Sequence, residues 1–339
     1  MFIQRMLIII VGVFVLVSIS GYSQDAKEWR DPSPHRVLFV TVEDGVRLEV
    51  LDWGGSGKSI ILLAGIPDTA HTFDDFGPVL KSTFHVYGVT RRGFGGSSVP
   101  TSGYDFPRMA MDVIRVIDEL HLDRPVIAGH SAAGEEMHIL GARYLDKIAG
   151  LVYLDAAFNR ADGSEDYDSV ARTLPRAPNP QASDLASVSA LQAFQKRVWG
   201  TAQPVAQIRN RYTIDGDESL SPAPGPPPVV RQAIAKALQQ TATAFNPDPI
   251  RITAVALYAV PKSVSDLMRS WYSADDPAIK DNVAKLLVLA RESYARHAQW
   301  FQKLASGSRV AEIAGDHYLF LSNPDEVRRE IDTFMSAPK

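Results

Sequence analysis

Apolar positions along this chain recur with two periods, and the two alternate. Val37 to Val42 and Leu48 to Trp53 are β-type runs joined through Glu43-Asp44-Gly45, which predicts a hairpin. Ser59 to Leu63 reads as a short buried strand, and Phe84 to Val89 as another. Met109, Val113, Val116, Ile117 and Leu120 fall at helical spacing, predicting a helix over Met109 to Leu122. The apolar run Pro125 to Ala128 predicts a strand, and Met137, Leu140, Ala142, Tyr144 and Leu145 predict a helix just beyond it. Gly150 to Leu154 reads as the next buried strand. Strands alternating with helices of this length predict an α/β fold, a mostly parallel central sheet with helices on both faces.

The alternation stops near Phe158 and resumes near Ile252. Between them the pattern predicts helices around Ser183 to Trp199, with Ser183 as N-cap, and Val229 to Thr243. The segment Ser221 to Pro228, SPAPGPPP, is expected to be irregular, because proline lacks the N–H that regular structure needs. An insertion here reads as a helical lid, the alternative being an extra helical layer with no gating role. Ile252 to Val260 and Arg309 to Ile313 then read as strands, Ala278 to Leu304 and Asp325 to Phe334 as helices. The resulting organisation is 1–23 signal peptide, 24–34 linker, 35–157 first part of the core, 158–250 lid insertion and 251–339 second part of the core.

The N-terminal assignment rests on pattern. Arg5 is the one charged side chain in the first two dozen residues, Leu7 to Val17 is apolar but for Gly12, and small residues follow at Ser18, Ser20, Gly21 and Ser23. This reads as a signal peptide cleaved after Ser23, placing the protein in the periplasm or outside the cell. The alternative is an uncleaved anchor, although the run is shorter than the roughly 20 apolar residues of a spanning helix.

Composition narrows the chemistry. The 339 residues carry a formal net charge of −4, which argues against a nucleic-acid binder. With no cysteine, disulfides, thiolate nucleophiles and cysteine-held metals are excluded. No H-E-x-x-H occurs and the eight histidines are not clustered at metal-ligand spacing, so neither a metal nor an organic cofactor is expected.

The hexapeptide Gly129 to Gly134, GHSAAG, falls where strand gives way to helix. A serine between small residues at such a junction is a nucleophile elbow: the tight turn lifts Oγ above the sheet and sets it at a helix N-terminus. Position 133 of this G-x-S-x-G pattern is alanine, with glycine one place later. Two further motifs accompany it, Leu62 to Phe76 (LLAGIPDTAHTFDDF) and Tyr87 to Ser98 (YGVTRRGFGGSS). On these three motifs, in this order, the chain resembles the α/β-hydrolase superfamily over nearly its whole mature length. Where that family commonly has histidine-glycine in the loop after the third strand, this chain has Ala64-Gly65.

The resemblance implies a serine hydrolase. Ser131 would be the nucleophile, and His317, in AGDHYLF past the last strand, its base. The backbone N–H groups of Ile66 and Ala132 would form the oxyanion hole. For the acid, Asp155 at the tip of Gly150 to Leu154 is preferred, with Asp266 as the alternative. Arg91 and Arg92 read as structural, His130 as orienting the turn, and His71 as a possible pocket residue. Phe194, Trp199, Tyr212 and Phe245 read as lid core or as the wall of an acyl pocket. The implied activity is hydrolysis of a carboxylic ester or related small acyl substrate through an acyl-enzyme. Alternatives on the same fold are amide or carbon–carbon bond hydrolysis, peracid formation, or ligand binding without catalysis. A dehalogenase is disfavoured, because its nucleophile would be an aspartate where this chain has Ser131. The partner expected is a small acyl compound, with no nucleic acid and no stable membrane span after signal removal.

Overall fold

A computed structural model describes residues 31–162, 165–244 and 247–336, with only the backbone for 242–244. The signal-peptide and cleavage assignments, most of the 24–34 linker, and Phe245 lie outside the described residues. The chain divides into two units, Met1–Pro32 and Ser33–Lys339, and every element below belongs to the second.

The hairpin forms as β1 (Arg36–Glu43) and β2 (Val46–Gly54), paired antiparallel around Gly45 at φ 71°. Next come β3 (Lys58–Leu63), a 3-10 turn (Ala70–Phe73), α1 (Gly77–Leu80) and β4 (Phe84–Val89). The helix α2 (Phe106–Glu119) starts three residues ahead of its apolar stripe, because the Asp105 side chain accepts the Arg108 N–H and Pro107 fits the first turn. The strand β5 (Val126–His130), the helix α3 (Ala133–Arg143) and the strand β6 (Gly150–Leu154) follow.

Between β6 and the next core strand lie α4 (Glu165–Thr173), α5 (Val188–Trp199), α6 (Val205–Arg211), the small pair β7 (Tyr212–Ile214) and β8 (Leu220–Pro222), and α7 (Pro228–Ala244). The chain closes with β9 (Ala254–Ala259), α8 (Val264–Leu267), α9 (Pro277–Leu304), β10 (Arg309–Ile313), α10 (Leu319–Ser322) and α11 (Pro324–Ser336).

Two expectations in this stretch need correction. The N-cap of α5 is Ser187, which accepts the Ala190 N–H at 3.1 Å, while Ser183 lies in a preceding turn closed by Asp184 on the Gln181 N–H. The proline-rich segment is not wholly irregular: Ser221 and Pro222 pair with Thr213 and Tyr212, and Pro228 opens α7. Proline is tolerated at a strand edge and in a first helical turn, where its missing N–H has no bond to lose.

Eight strands form one sheet in the order β1-β2-β4-β3-β5-β6-β9-β10, parallel from β4 through β10 and antiparallel at β1/β2 and β2/β4. Alternate residues leave opposite faces, so one strand feeds two cores. Ile61, Leu63 and Ile127 pack with Val113 and Ile117 of α2, Met137 and Leu140 of α3, and Phe301 of α9. Ile60, Leu62 and Val126 pack on the other face with Phe73, Leu80, Val327 and Ile331. Burying each such side chain contributes roughly 1.5–3 kcal/mol. The parallel order brings the C-terminal ends of β3, β5, β6 and β9 side by side, where open α/β sheets bind their ligands.

Candidate active site

The site grows from the ends of those strands. Ser131 sits between β5 and α3 at φ 55°, a left-handed conformation that costs a non-glycine residue on the order of 1–3 kcal/mol. The crowding that forces it is explicit. A Cβ on Gly129 would stand 2.4 Å from Met137 Sδ and 2.8 Å from Ala133 Cβ. A Cβ on Gly134 would stand 2.0 Å from the Ala156 carbonyl oxygen. The glycine that α3 needs against the exit of β6 is therefore Gly134, and alanine fits at 133.

His317 lies between β10 and α10 with its ring half-exposed, and its Nδ1 is 2.7 Å from Asp155 Oδ2. Asp155 follows β6 at φ 48° and is buried. Its Oδ1 accepts the Ala259 N–H at 3.0 Å, and its backbone N–H donates to Leu257 O at 2.8 Å, so β9 fixes both the backbone and one carboxylate oxygen of Asp155. Burial pushes the Asp155 carboxyl upward, and the His317 ring and the Ala259 N–H act against that rise. Asp266 is elsewhere in role: exposed, it caps α8 by accepting the Lys262 and Ser263 N–H groups at 2.6 and 2.8 Å. Asp316 accepts the Tyr318 N–H and the Thr201 hydroxyl.

The loop after β3 reaches the serine directly. A Cβ on Gly65 would lie 3.0 Å from Ser131 Cβ and 2.9 Å from His130 Nδ1, so only glycine lets the loop this close. Among the described residues, the backbone N–H groups of Ile66 and Ala132 have no acceptor. Arg91 holds the loop from behind, donating to the Ala64 carbonyl and to Glu136. Arg92 makes a two-pronged contact with Asp112, both bonds 2.7 Å, and reaches Glu43. Both arginines are buried structural cations.

Sequence reasoning missed the polar network above this floor. His130 Nε2 donates to the backbone carbonyl of His317 at 2.9 Å, with the two rings 4.4 Å apart. Burial holds His130 well below its ordinary pKa, so it stays neutral. Asp68 accepts the Tyr318 hydroxyl at 2.8 Å, Gln207 Nε2 at 2.9 Å and Arg211. Gln207 Oε1 in turn accepts from the Thr69 hydroxyl at 2.7 Å. The loop after β3, the residue after His317 and α6 are thereby one bonded unit. The only trace in sequence is an aspartate in a loop otherwise free of charge.

A cavity of about 380 Å³ beside His317 is lined by Trp199, Gln203, Arg211, Arg269 and Tyr318 among others. Trp199 is half-exposed and packs edge-on to Trp271, whereas Phe194 lies in a buried cluster with Leu191, Val198 and Ile208 and Tyr212 packs against that cluster. His71 is buried, with its Nδ1 2.9 Å from Asp74 Oδ2.

A family model described as "Alpha/beta hydrolase family" matches residues 60–330. The chain is 32% identical over 107 residues to the fluoroacetate dehalogenase of a Burkholderia species, covering 30% of this chain and 35% of that protein. It is 34% identical over 121 residues to the bifunctional esterase/perhydrolase DCH of Acinetobacter calcoaceticus, covering 35% of this chain and 44% of that one. These matches thus span between about a third and under half of the relatives' own lengths. Among solved structures, E-2-(acetamidomethylene)succinate hydrolase superposes with TM-score 0.59 at 18% identity, covering 89% of this chain and all of that one, a likeness of fold.

Proposed function

The chain belongs to the alpha/beta hydrolase family, and from that premise we propose that it is a serine hydrolase acting on a carboxylic ester or related small acyl compound. One observation carries this reading: the 2.7 Å contact of His317 Nδ1 with a buried aspartate, beside a serine held at a left-handed elbow. The contact makes Nδ1 the protonated nitrogen of neutral His317 and leaves Nε2 as the base. The Ser131 hydroxyl loses its proton to Nε2 as Oγ attacks the acyl carbon. The oxyanion accepts the N–H groups of Ala132 and Ile66, each such donor being worth roughly 3 kcal/mol in the transition state. The intermediate collapses, His317 protonates the leaving alcohol, and water activated by the same Nε2 releases the acid from Ser131.

A carboxylate nucleophile of the dehalogenase type has no counterpart at position 131, which favours the ester route. The helical segment over the site reads as a lid whose α6 is pinned by Asp68. We also propose export, supported by the apolar Leu7 to Val17 run and the small residues before Ser23; among the described residues no helix is long and apolar enough to cross a membrane.

A panel of p-nitrophenyl esters of increasing acyl length, assayed across cell fractions, tests both parts. Turnover is expected outside the cytoplasm, and Ser131→Ala is expected to abolish it. Full turnover by Ser131→Ala would sink the reading.

A further inference from the structure

Away from Ser131, a second group of reactive side chains is buried at the foot of the same loop. His35 stands just before β1, while His71 lies in the 3-10 turn Ala70–Phe73 and Asp74 directly follows it. Asp74 sits between the imidazoles: Oδ1 is 3.0 Å from His35 Nδ1, and Oδ2 is 2.9 Å from His71 Nδ1. The ring centroids are 5.2 Å apart, and the donor atoms of the three residues all lie within 4.8 Å of one another. The side chains of His35, His71 and Asp74 are 2%, 10% and 1% exposed.

Those separations suit coordination. A tetrahedral zinc ion with ligands at about 2.0–2.2 Å holds neighbouring donors roughly 3.3 Å apart. Two imidazole nitrogens and a carboxylate are a donor set that such a cation accepts. A metal-bound histidine normally turns its other nitrogen toward a carboxylate, which fixes the ring and raises its basicity. Glu49 is placed for that role: its Oε1 lies 3.8 Å from His71 Nε2, and Oε2 accepts the Thr90 hydroxyl at 2.7 Å. His35 is steadied by Trp53, edge to face at 5.8 Å.

The electrostatics point the same way. Burial alone would lower His71, yet Asp74 and Glu49 beside it push it up to about 10. Two buried carboxylates thus create a field that holds a positive charge at this spot. An imidazolium proton can supply that charge, and so can a divalent cation that displaces the proton.

We infer that His35, His71 and Asp74 form a structural site for a divalent transition cation of the zinc type, with Glu49 orienting His71. The ion takes three protein donors and a water, and joins the segment before β1 to the turn that follows the loop touching Ser131. Linear spacing hides the site, because 35 residues separate the two histidines in the chain.

The test is titration of the full chain, stripped with a chelator, with zinc chloride by calorimetry. The Tm is followed in parallel. One zinc per chain and a higher Tm are expected. His35→Ala and His71→Ala should each lose stoichiometric binding, while His121→Ala, altered in an exposed turn, keeps it. Absence of stoichiometric zinc on the folded wild-type chain overturns the proposal, whether or not the variants fold. Equal binding by wild type and by folded His35→Ala also overturns it and leaves adventitious surface zinc only. Ester turnover is not a readout here, so this result is separate from that for Ser131.

Discussion

Two aspartates could have served His317, and the difference between them is what each carboxylate already holds. Asp155 keeps one oxygen on the Ala259 N–H and gives the other to the imidazole. Asp266 spends its carboxylate on the first turn of α8. Replacing Asp155 by asparagine keeps the shape but offers an amide where the ring needs an acceptor, favouring the wrong tautomer. Asp155→Asn is therefore expected to lower kcat by about 10³–10⁴-fold with the fold retained, as read by circular dichroism and initial rates. Asp266→Asn should change kcat by less than a few fold, since it loses only a cap on an exposed four-residue helix. The reverse pattern would remove Asp155 from the site.

Individual elements differed in how much of themselves they showed in sequence. The strands β4, β6 and β10 take the bounds their sequence pattern predicts: β4 and β6 are almost wholly buried, largely apolar runs, whereas β10, at the sheet edge and carrying Arg309 and Glu312, shows itself by alternation. Ser131 and His317 were legible because a tight elbow and a loop after the last strand leave marks in local sequence. The clamp of Gln207 and Arg211 on Asp68 was not, since nothing local reports that a residue near 207 will meet one near 68. The helices α4 and α6 were missed for a related reason: they are short, and α4 buries no residue fully. The elbow helix α3 hid a further feature, a buried Glu135 paired with Arg160 at 3.0 Å. Burial raises its carboxyl to about 7, outweighing Arg160. A carboxyl whose folded value exceeds its unfolded value near 4.5 stabilises the fold below that pH, and the contribution disappears as pH rises toward 7. Glu135→Gln is expected to remove that slope. The wild-type minus variant stability difference, from urea melts at several pH values, should fall by on the order of 2–3 kcal/mol between pH 4.5 and 7 and then level off. A difference that stays flat across this window would show that Glu135 titrates normally.

At the scale of the whole molecule, the sheet order is what gathers scattered residues into the candidate site. Ser131, Asp155 and His317 come from three separate strand ends, and parallel pairing of β5, β6, β9 and β10 sets those ends on one edge. The loop after β3 joins them because β3 pairs directly with β5. Parallel order of this kind followed from the alternation of strand and helix in the sequence, whereas the path of residues 165–244 over the edge depended on contacts that no local pattern encodes. The central claim is that this assembly activates Ser131 and no other hydroxyl. The most direct measurement is the stoichiometry and position of covalent labelling by a fluorophosphonate, read by mass spectrometry of the intact chain and its peptides. One phosphonyl group per chain on Ser131, lost in Ser131→Ala and strongly slowed in His317→Ala, is the predicted result. An unlabelled folded protein, or equal labelling of Ser131→Ala, would contradict it.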